Sequence, residues 1–141
     1  EATVRYNLNS ENVVPLYGIL KRGNMFAFVS PVMENGSLTS YLQHFESDEV
    51  QRRQEILSLL DVAHGMEYLH SQGILHADLK TDNVLINNRK CGILSDFGTA
   101  KFLSAATDFE TGNRFGTWRY MSPERLRGEG TMEADDVYAF G

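Results

Sequence analysis

Sulfur chemistry is almost missing from this sequence. Cys91 is its one cysteine, so neither an internal disulfide nor a thiolate metal cluster can be built, and a reducing compartment suits the chain best. Positive charge is the second shortage: 13 Lys and Arg against 19 Asp and Glu leave a net charge of −6. No basic stripe is available to displace counterions from a phosphate backbone, which argues against a nucleic-acid-binding face. Long apolar runs are lacking as well. None approaches membrane-spanning length, and no signal peptide is legible at the first residues. Asn35-Gly36-Ser37 matches a glycosylation acceptor in form only and is read as accidental. What is present is 141 residues with 42% hydrophobic content, the size and composition of one ordinary globular domain.

The polar chemistry is concentrated in residues 74–98. Ile74-Leu75, Val84-Leu85-Ile86 and Ile93-Leu94 are short apolar runs bounded by polar residues, the pattern of short buried strands. Such strands hold the intervening polar loops at one rim. The first loop carries Asp78, Lys80 and Asn83; the second carries Asp96. Two carboxylates, an amide and an ammonium suit a divalent metal with phosphate: oxygen ligands for Mg²⁺, a cation for phosphate charge, and one carboxylate left as base. Taken singly, an aspartate followed closely by an asparagine is also what a solvated turn contains.

Around this stretch the pattern predicts a helix over residues 1–8 ending near Asn9-Ser10, then a hairpin of strands over 13–20 and 25–29 with a turn at 21–24. Phe26 and Phe28 share a face of that hairpin, which is read as core or strand packing. Ser37 caps a short helix over 38–42. Residues 51–71 form the longest helix, with Ile56, Leu60, Ala63 and then Met66 or Leu69 as its apolar stripe, and Gly73 ends it. His64 and His70 on this helix are read as surface or packed residues, not ligands. Residues 87–90 make a hairpin turn, and Cys91 beside it has no functional assignment.

His76-Ala77-Asp78-Leu79-Lys80-Thr81-Asp82-Asn83 and Asp96-Phe97-Gly98 together resemble the catalytic loop and metal-binding triplet of eukaryotic protein kinases, with Ala77 where many members have arginine. Ser30-Pro31-Val32-Met33-Glu34-Asn35-Gly36-Ser37-Leu38 resembles the hinge of that family. Gly116-Thr117-Trp118-Arg119-Tyr120-Met121-Ser122-Pro123-Glu124 resembles the end of its activation segment, with Ser122 for the commoner alanine. Lys80 and Thr117 follow the serine/threonine branch, and the wording 118–121 resembles the tyrosine-kinase-like group.

The resemblance implies an α+β, partial two-lobed fold. Residues 1–29 are the end of an N-lobe helix and two strands, 30–38 the hinge, and 39–141 the first half of the mainly helical C-lobe, through the activation segment to the start of a following helix. It implies ATP-dependent phosphorylation of serine or threonine hydroxyls on protein substrates, with ATP and Mg²⁺ as cofactors. Asp78 and Lys80 take catalytic roles, Asn83 and Asp96 hold the metal, and Pro31, Met33 and Leu85 join them in binding the nucleotide. Glu1 takes the place of the glutamate that pairs an ATP-anchoring lysine, which lies upstream of this chain together with the glycine-rich loop. The chain alone is therefore expected to be inactive, and the apolar faces of the long helix and the Val137 helix to lack partners. Asp136 anchors the catalytic-loop backbone. His76 packs with Phe97 as part of an apolar spine, so it is not taken as the base. Ala77 cannot pair with an activation-loop phosphate, which predicts regulation independent of phosphorylation at Ser104, Thr107 or Thr111. A cytoplasmic setting is expected, with any membrane tether outside this chain. Two alternatives stand beside this reading: a pseudokinase or scaffold that binds nucleotide or partners without chemistry, and a small-molecule kinase of related fold. The groove-forming segment 116–124 argues against the second.

Overall fold

The computed structural model describes residues 8–23, 25–43, 49–96, 101–102, 117–129 and 131–141. The expected helix before Leu8, Glu1 with its pairing role, Phe97 and Gly98 of the triplet, and the hydroxyls of the activation segment lie outside these residues.

A first hairpin pairs β1 (Gly18–Arg22) with β2 (Met25–Val29) in antiparallel register, Gly18 opposite Val29 and Arg22 opposite Met25. Its first strand starts later than the expected residue 13. Pro15 has no N–H to give a ladder, and Val13 instead bridges to Leu94 while the Val14 N–H donates to the Leu94 carbonyl at 2.8 Å. The two phenylalanines of this hairpin are not core residues: Phe26 is exposed, with the Lys21 ammonium 5.4 Å from its ring centroid, and Phe28 is exposed as well.

Helix α1 (Leu38–Leu42) begins at the expected cap, the Ser37 hydroxyl accepting from the Ser40 N–H. Helix α2 (Glu49–Ser71) is the long one, and it ends as expected at Gly73, which adopts φ +67° and donates its N–H to the His70 carbonyl at 2.8 Å. Its packing face departs from expectation. Ser58, Val62, Gly65, Met66 and Leu69 point inward, while Ile56 and Leu60 of the predicted stripe are exposed along with Leu57 and Leu59. The reason is close approach. A Cβ at Gly65 would lie 2.8 Å from the Asn12 carbonyl oxygen, and one at Gly92 would lie 2.9 Å from the Ser58 carbonyl oxygen. Only the face that carries small residues can come this near to the strand behind it.

That strand is β5 (Gly92–Leu94), antiparallel to β4 (Val84–Ile86). The turn between them follows the predicted residues: the Asn87 side-chain oxygen accepts from the N–H groups of Arg89 and Cys91 at 2.9 and 3.0 Å. β3 (Ile74–Leu75) pairs with β6 (Lys101–Phe102). The core gathers Val13, Leu38, Tyr41, Val62, Met66, Leu69, Ile74, Leu79, Val84, Ile86 and Leu94 from these elements. Burying a side chain the size of Leu69 or Ile86 contributes about 1.5–3 kcal/mol, so this cluster is what fixes the strand ends. Helices α3 (Pro123–Leu126) and α4 (Glu133–Phe140) complete the described fold. No helix among the described residues is long and apolar enough to cross a membrane.

Candidate functional site

Beyond β3 the chain turns sharply at Ala77, whose φ is +63°. A residue with a Cβ enters this left-handed region at a cost and stays there only when its surroundings hold it. Here the hold comes from α4. One oxygen of the Asp136 carboxylate accepts the His76 N–H at 2.8 Å and the other accepts the Ala77 N–H at 2.8 Å. This is the anchoring role expected for Asp136. Burial pushes its pKa up, but the bond from His70 and the two backbone N–H groups outweigh it and hold the carboxyl below its usual range. His70 lies 2.9 Å from the same carboxylate, and that hydrogen bond raises the imidazole above its ordinary value. His70 is therefore a packed residue, as read from the sequence.

The next residues bring three predicted side chains together. The Lys80 ammonium is 3.0 Å from the Asp78 carboxylate. The Asn83 amide donates 2.7 Å to the Asp78 carbonyl and 3.1 Å to the same carboxylate oxygen that Lys80 meets. The amide N–H₂ is thus committed inward, which leaves the Asn83 side-chain oxygen as the atom with which this residue can meet a cation. A one-residue step beyond β5 ties in the second loop: the Ser95 N–H and hydroxyl both donate to the Asn83 carbonyl, at 2.8 and 2.9 Å. Asp96 follows directly, exposed and at φ +56°. Asn83 and Asp96 therefore stand at the two ends of the β4–β5 hairpin, the first with an amide oxygen and the second with a carboxylate.

His76 is fully buried, and burial lowers its pKa. Its Nδ1 accepts the Asp78 N–H at 3.3 Å, so the proton lies on Nε2, which donates to the Ser95 carbonyl at 2.9 Å. Both ring nitrogens are occupied, Nδ1 within its own loop and Nε2 in tying that loop to the second, in keeping with a structural role over a base.

At the hinge, Pro31 and Met33 are half-buried on either side of exposed Val32. The turn that follows is stitched to β4: the Asn35 N–H donates to the Ile86 carbonyl at 3.3 Å, the Ile86 N–H to the Gly36 carbonyl at 2.8 Å, and Ser37 bridges to Leu85. Leu85, half-buried, is thereby placed next to the hinge turn. The Asn35 amide donates 2.6 Å to the Asn87 carbonyl, so the nitrogen of the apparent glycosylation triplet has a structural use.

Sequence reasoning missed three contributors. Ser95, as above, clamps the loops. Ser122 caps α3 and hydrogen-bonds Asp135, whose other oxygen accepts the Met132 N–H at 2.7 Å. The Arg125 guanidinium donates to the Ala77 carbonyl. A serine after a strand carries no local signal of this kind. Arg125 had one, since it lies one residue beyond a recognised motif. A cavity of about 610 Å³ has Leu38, Leu79, Val84, Lys80 and Tyr138 in its lining; Pro31, Met33 and Leu85 do not line it.

Comparison with known proteins agrees with this arrangement. The family model "Protein kinase domain" matches residues 1–141. The chain is 40% identical to L-type lectin-domain containing receptor kinase I.3 of Arabidopsis thaliana over 144 aligned residues, covering 100% of this chain and 22% of that protein. It is 38% identical to L-type lectin-domain containing receptor kinase IV.1 from the same plant, covering 95% of this chain and 20% of the relative. It is 32% identical to the plant's Serine/threonine/tyrosine-protein kinase HT1, covering 100% of this chain and 36% of that protein. The chain thus spans about a fifth to a third of the length of these curated relatives. They are consistent with the tyrosine-kinase-like group that residues 118–121 resemble.

Proposed function

Given that the chain belongs to the protein kinase family, we propose that it works within a longer kinase that transfers the γ-phosphoryl of Mg-ATP to serine or threonine hydroxyls of proteins. The observation that carries this is the convergence of Lys80 and Asn83 on one oxygen of Asp78. Phosphoryl transfer has a loose transition state with charge spread over the phosphate oxygens, so alignment and charge neutralisation are most of what a protein must supply. Asp78 orients the acceptor hydroxyl and takes its proton. Lys80, held against Asp78, presents its ammonium to the transferring phosphoryl. Asn83, through its side-chain oxygen, and Asp96 hold Mg²⁺, which when bound neutralises charge on the phosphates. The Pro31 carbonyl and the Met33 N–H meet the adenine edge, and Leu85 contacts the nucleotide.

Serine/threonine selectivity is supported by Lys80 and Thr117 within the motifs that carry them. The cytoplasmic assignment is supported by the single cysteine. The expected substrate is a protein because residues 116–124 match the segment that shapes the family's substrate groove. In the longer kinase containing these residues, Asp78→Asn and Asp96→Ala each lower phosphotransfer to a protein substrate by at least about a hundredfold. Undiminished turnover by either variant refutes the assignment. Phosphoamino-acid analysis of the product reads the selectivity directly, and phosphotyrosine as the main product would overturn that part.

A further inference from the structure

Ala77 and Asp78 share a peptide group whose two polar atoms are both held by side chains. Its N–H, that of Asp78, donates to His76 Nδ1 at 3.3 Å, and its carbonyl, that of Ala77, accepts from the Arg125 guanidinium. The neighbouring peptide is held as well, the Ala77 N–H donating 2.8 Å to Asp136. The orientation of the 77–78 peptide sets the direction in which the Asp78 side chain leaves the backbone. Rotation of this peptide changes ψ of Ala77 and φ of Asp78 and so re-aims the Asp78 side chain, whereas the φ of +63° at Ala77 is kept by the 76–77 peptide, whose N–H Asp136 holds.

Arg125 comes from a different place than the other holders. It lies on α3, directly after the 116–124 segment, whereas Asp136 lies on α4. The two helices are joined by Ser122 and Asp135. The strained residue is thus gripped from both sides by a single corner of the molecule. Arg125 is half-buried, and its positive charge faces a carbonyl dipole in a partly desolvated setting, where a charge-assisted bond is stronger than a neutral one.

We propose that Arg125 is a positioning residue for phosphotransfer: from the end of the substrate-side segment it holds the Ala77 carbonyl and thereby aims the Asp78 carboxylate. This rests on the kinase reading above and assigns a function to a side chain that touches neither nucleotide nor metal. It also links groove and base, since whatever displaces α3 releases the peptide that orients Asp78.

The test is made in the longer kinase containing this chain, with R125M, R125Q and R125K. R125M and R125Q lower kcat by about 10- to 100-fold, the size of effect that a misaimed catalytic group produces, while the KM for ATP stays within about twofold of wild type. R125K, whose long charged side chain can still reach and donate to a carbonyl, recovers part of the loss, and methylguanidinium added to a fourth variant, R125A, does the same. Amide hydrogen exchange at Asp78 accelerates in R125M while that at Leu75 does not. Wild-type kcat in both R125M and R125Q overturns the proposal. So does a loss of kcat that comes with a matching fall in melting temperature and no recovery by lysine or methylguanidinium, for that is the mark of a purely structural residue. A wild-type enzyme without Mg-ATP-dependent phosphotransfer would instead sink the kinase reading itself.

Discussion

The hairpins β1–β2 and β4–β5 are both antiparallel, both short and both rich in apolar residues, yet they live in opposite surroundings. In the first, Leu20, Met25, Phe26 and Val29 are exposed. In the second, Val84, Ile86, Gly92, Ile93 and Leu94 are buried and Leu85 is half-buried. Pairing alone does not separate them, since the first hairpin has the longer ladder. What separates them is a helix. β5 lies against α2 so closely that Gly65 and Gly92 are needed at the contact, and the covered hairpin is the one whose ends carry Asn83 and Asp96. Local sequence makes a hairpin; the surface laid over it makes a rigid mount for polar groups.

Three substitutions would break or sharpen this contrast. The largest effect is expected at Asp136, which ties the covered region to α4. Asp136→Ala leaves two buried backbone N–H groups and His70 without their acceptor and costs about 3 kcal/mol or more in urea denaturation. The pair also has a pH signature. His70 is raised above 6.5 in the folded chain, so its contribution is fully present below that value and is lost as pH rises through the folded pKa. Asp136 is depressed below 3.8, so its share is present above that value and is lost as pH falls through its folded pKa. Unfolding measured across this range shows the pair at full strength between about 4 and 6.5 in the native chain, and the decline on the alkaline side disappears in the variant.

Next comes Gly92→Ala. The added Cβ would meet the Ser58 carbonyl oxygen at 2.9 Å, a backbone atom that cannot turn aside, and overpacking of this kind costs about 1–3 kcal/mol. A shift in the denaturation midpoint at unchanged slope reports it. The smallest effect is expected on the uncovered hairpin: Phe26→Ser gives up only an exposed ring and its contact with Lys21, less than about 1 kcal/mol. A larger loss there than at Gly92 would reverse the contrast.

Much of the site is legible in the sequence, for an identifiable reason. Caps, turns and loops are written locally: Ser37 and Gly73 end their helices where a short hydroxyl and a left-handed residue are required, and residues 76–83 form a continuous motif. The α2 packing face was not legible. Ile56, Leu57, Leu59, Leu60 and Val62 spread apolar surface around the helix, so periodicity cannot choose a face. The choice is made by Ser58 and Gly65, whose value is their lack of bulk. The start of β1 was misplaced because residues 13–17 are extended without being paired as a strand, Val13 and Val14 turning to Leu94 instead. Ser95 and Arg125 escaped notice because their partners, Asn83 and Ala77, lie 12 and 48 positions away.

The stitching of the turn at Asn35 and Gly36 onto Ile86 has a mechanical consequence. From Asn35 onward the chain is bound to β4, while the Val29 carbonyl, accepting the Tyr17 N–H, belongs to the first hairpin. Any displacement of the first hairpin relative to β4 is therefore taken up by torsions in residues 30–34, where Pro31, with its fixed φ, stiffens the chain. The proposed adenine contacts, Pro31 and Met33, thus lie within the pivot itself, whereas Leu85 is fixed to the turn by its bridge to Ser37.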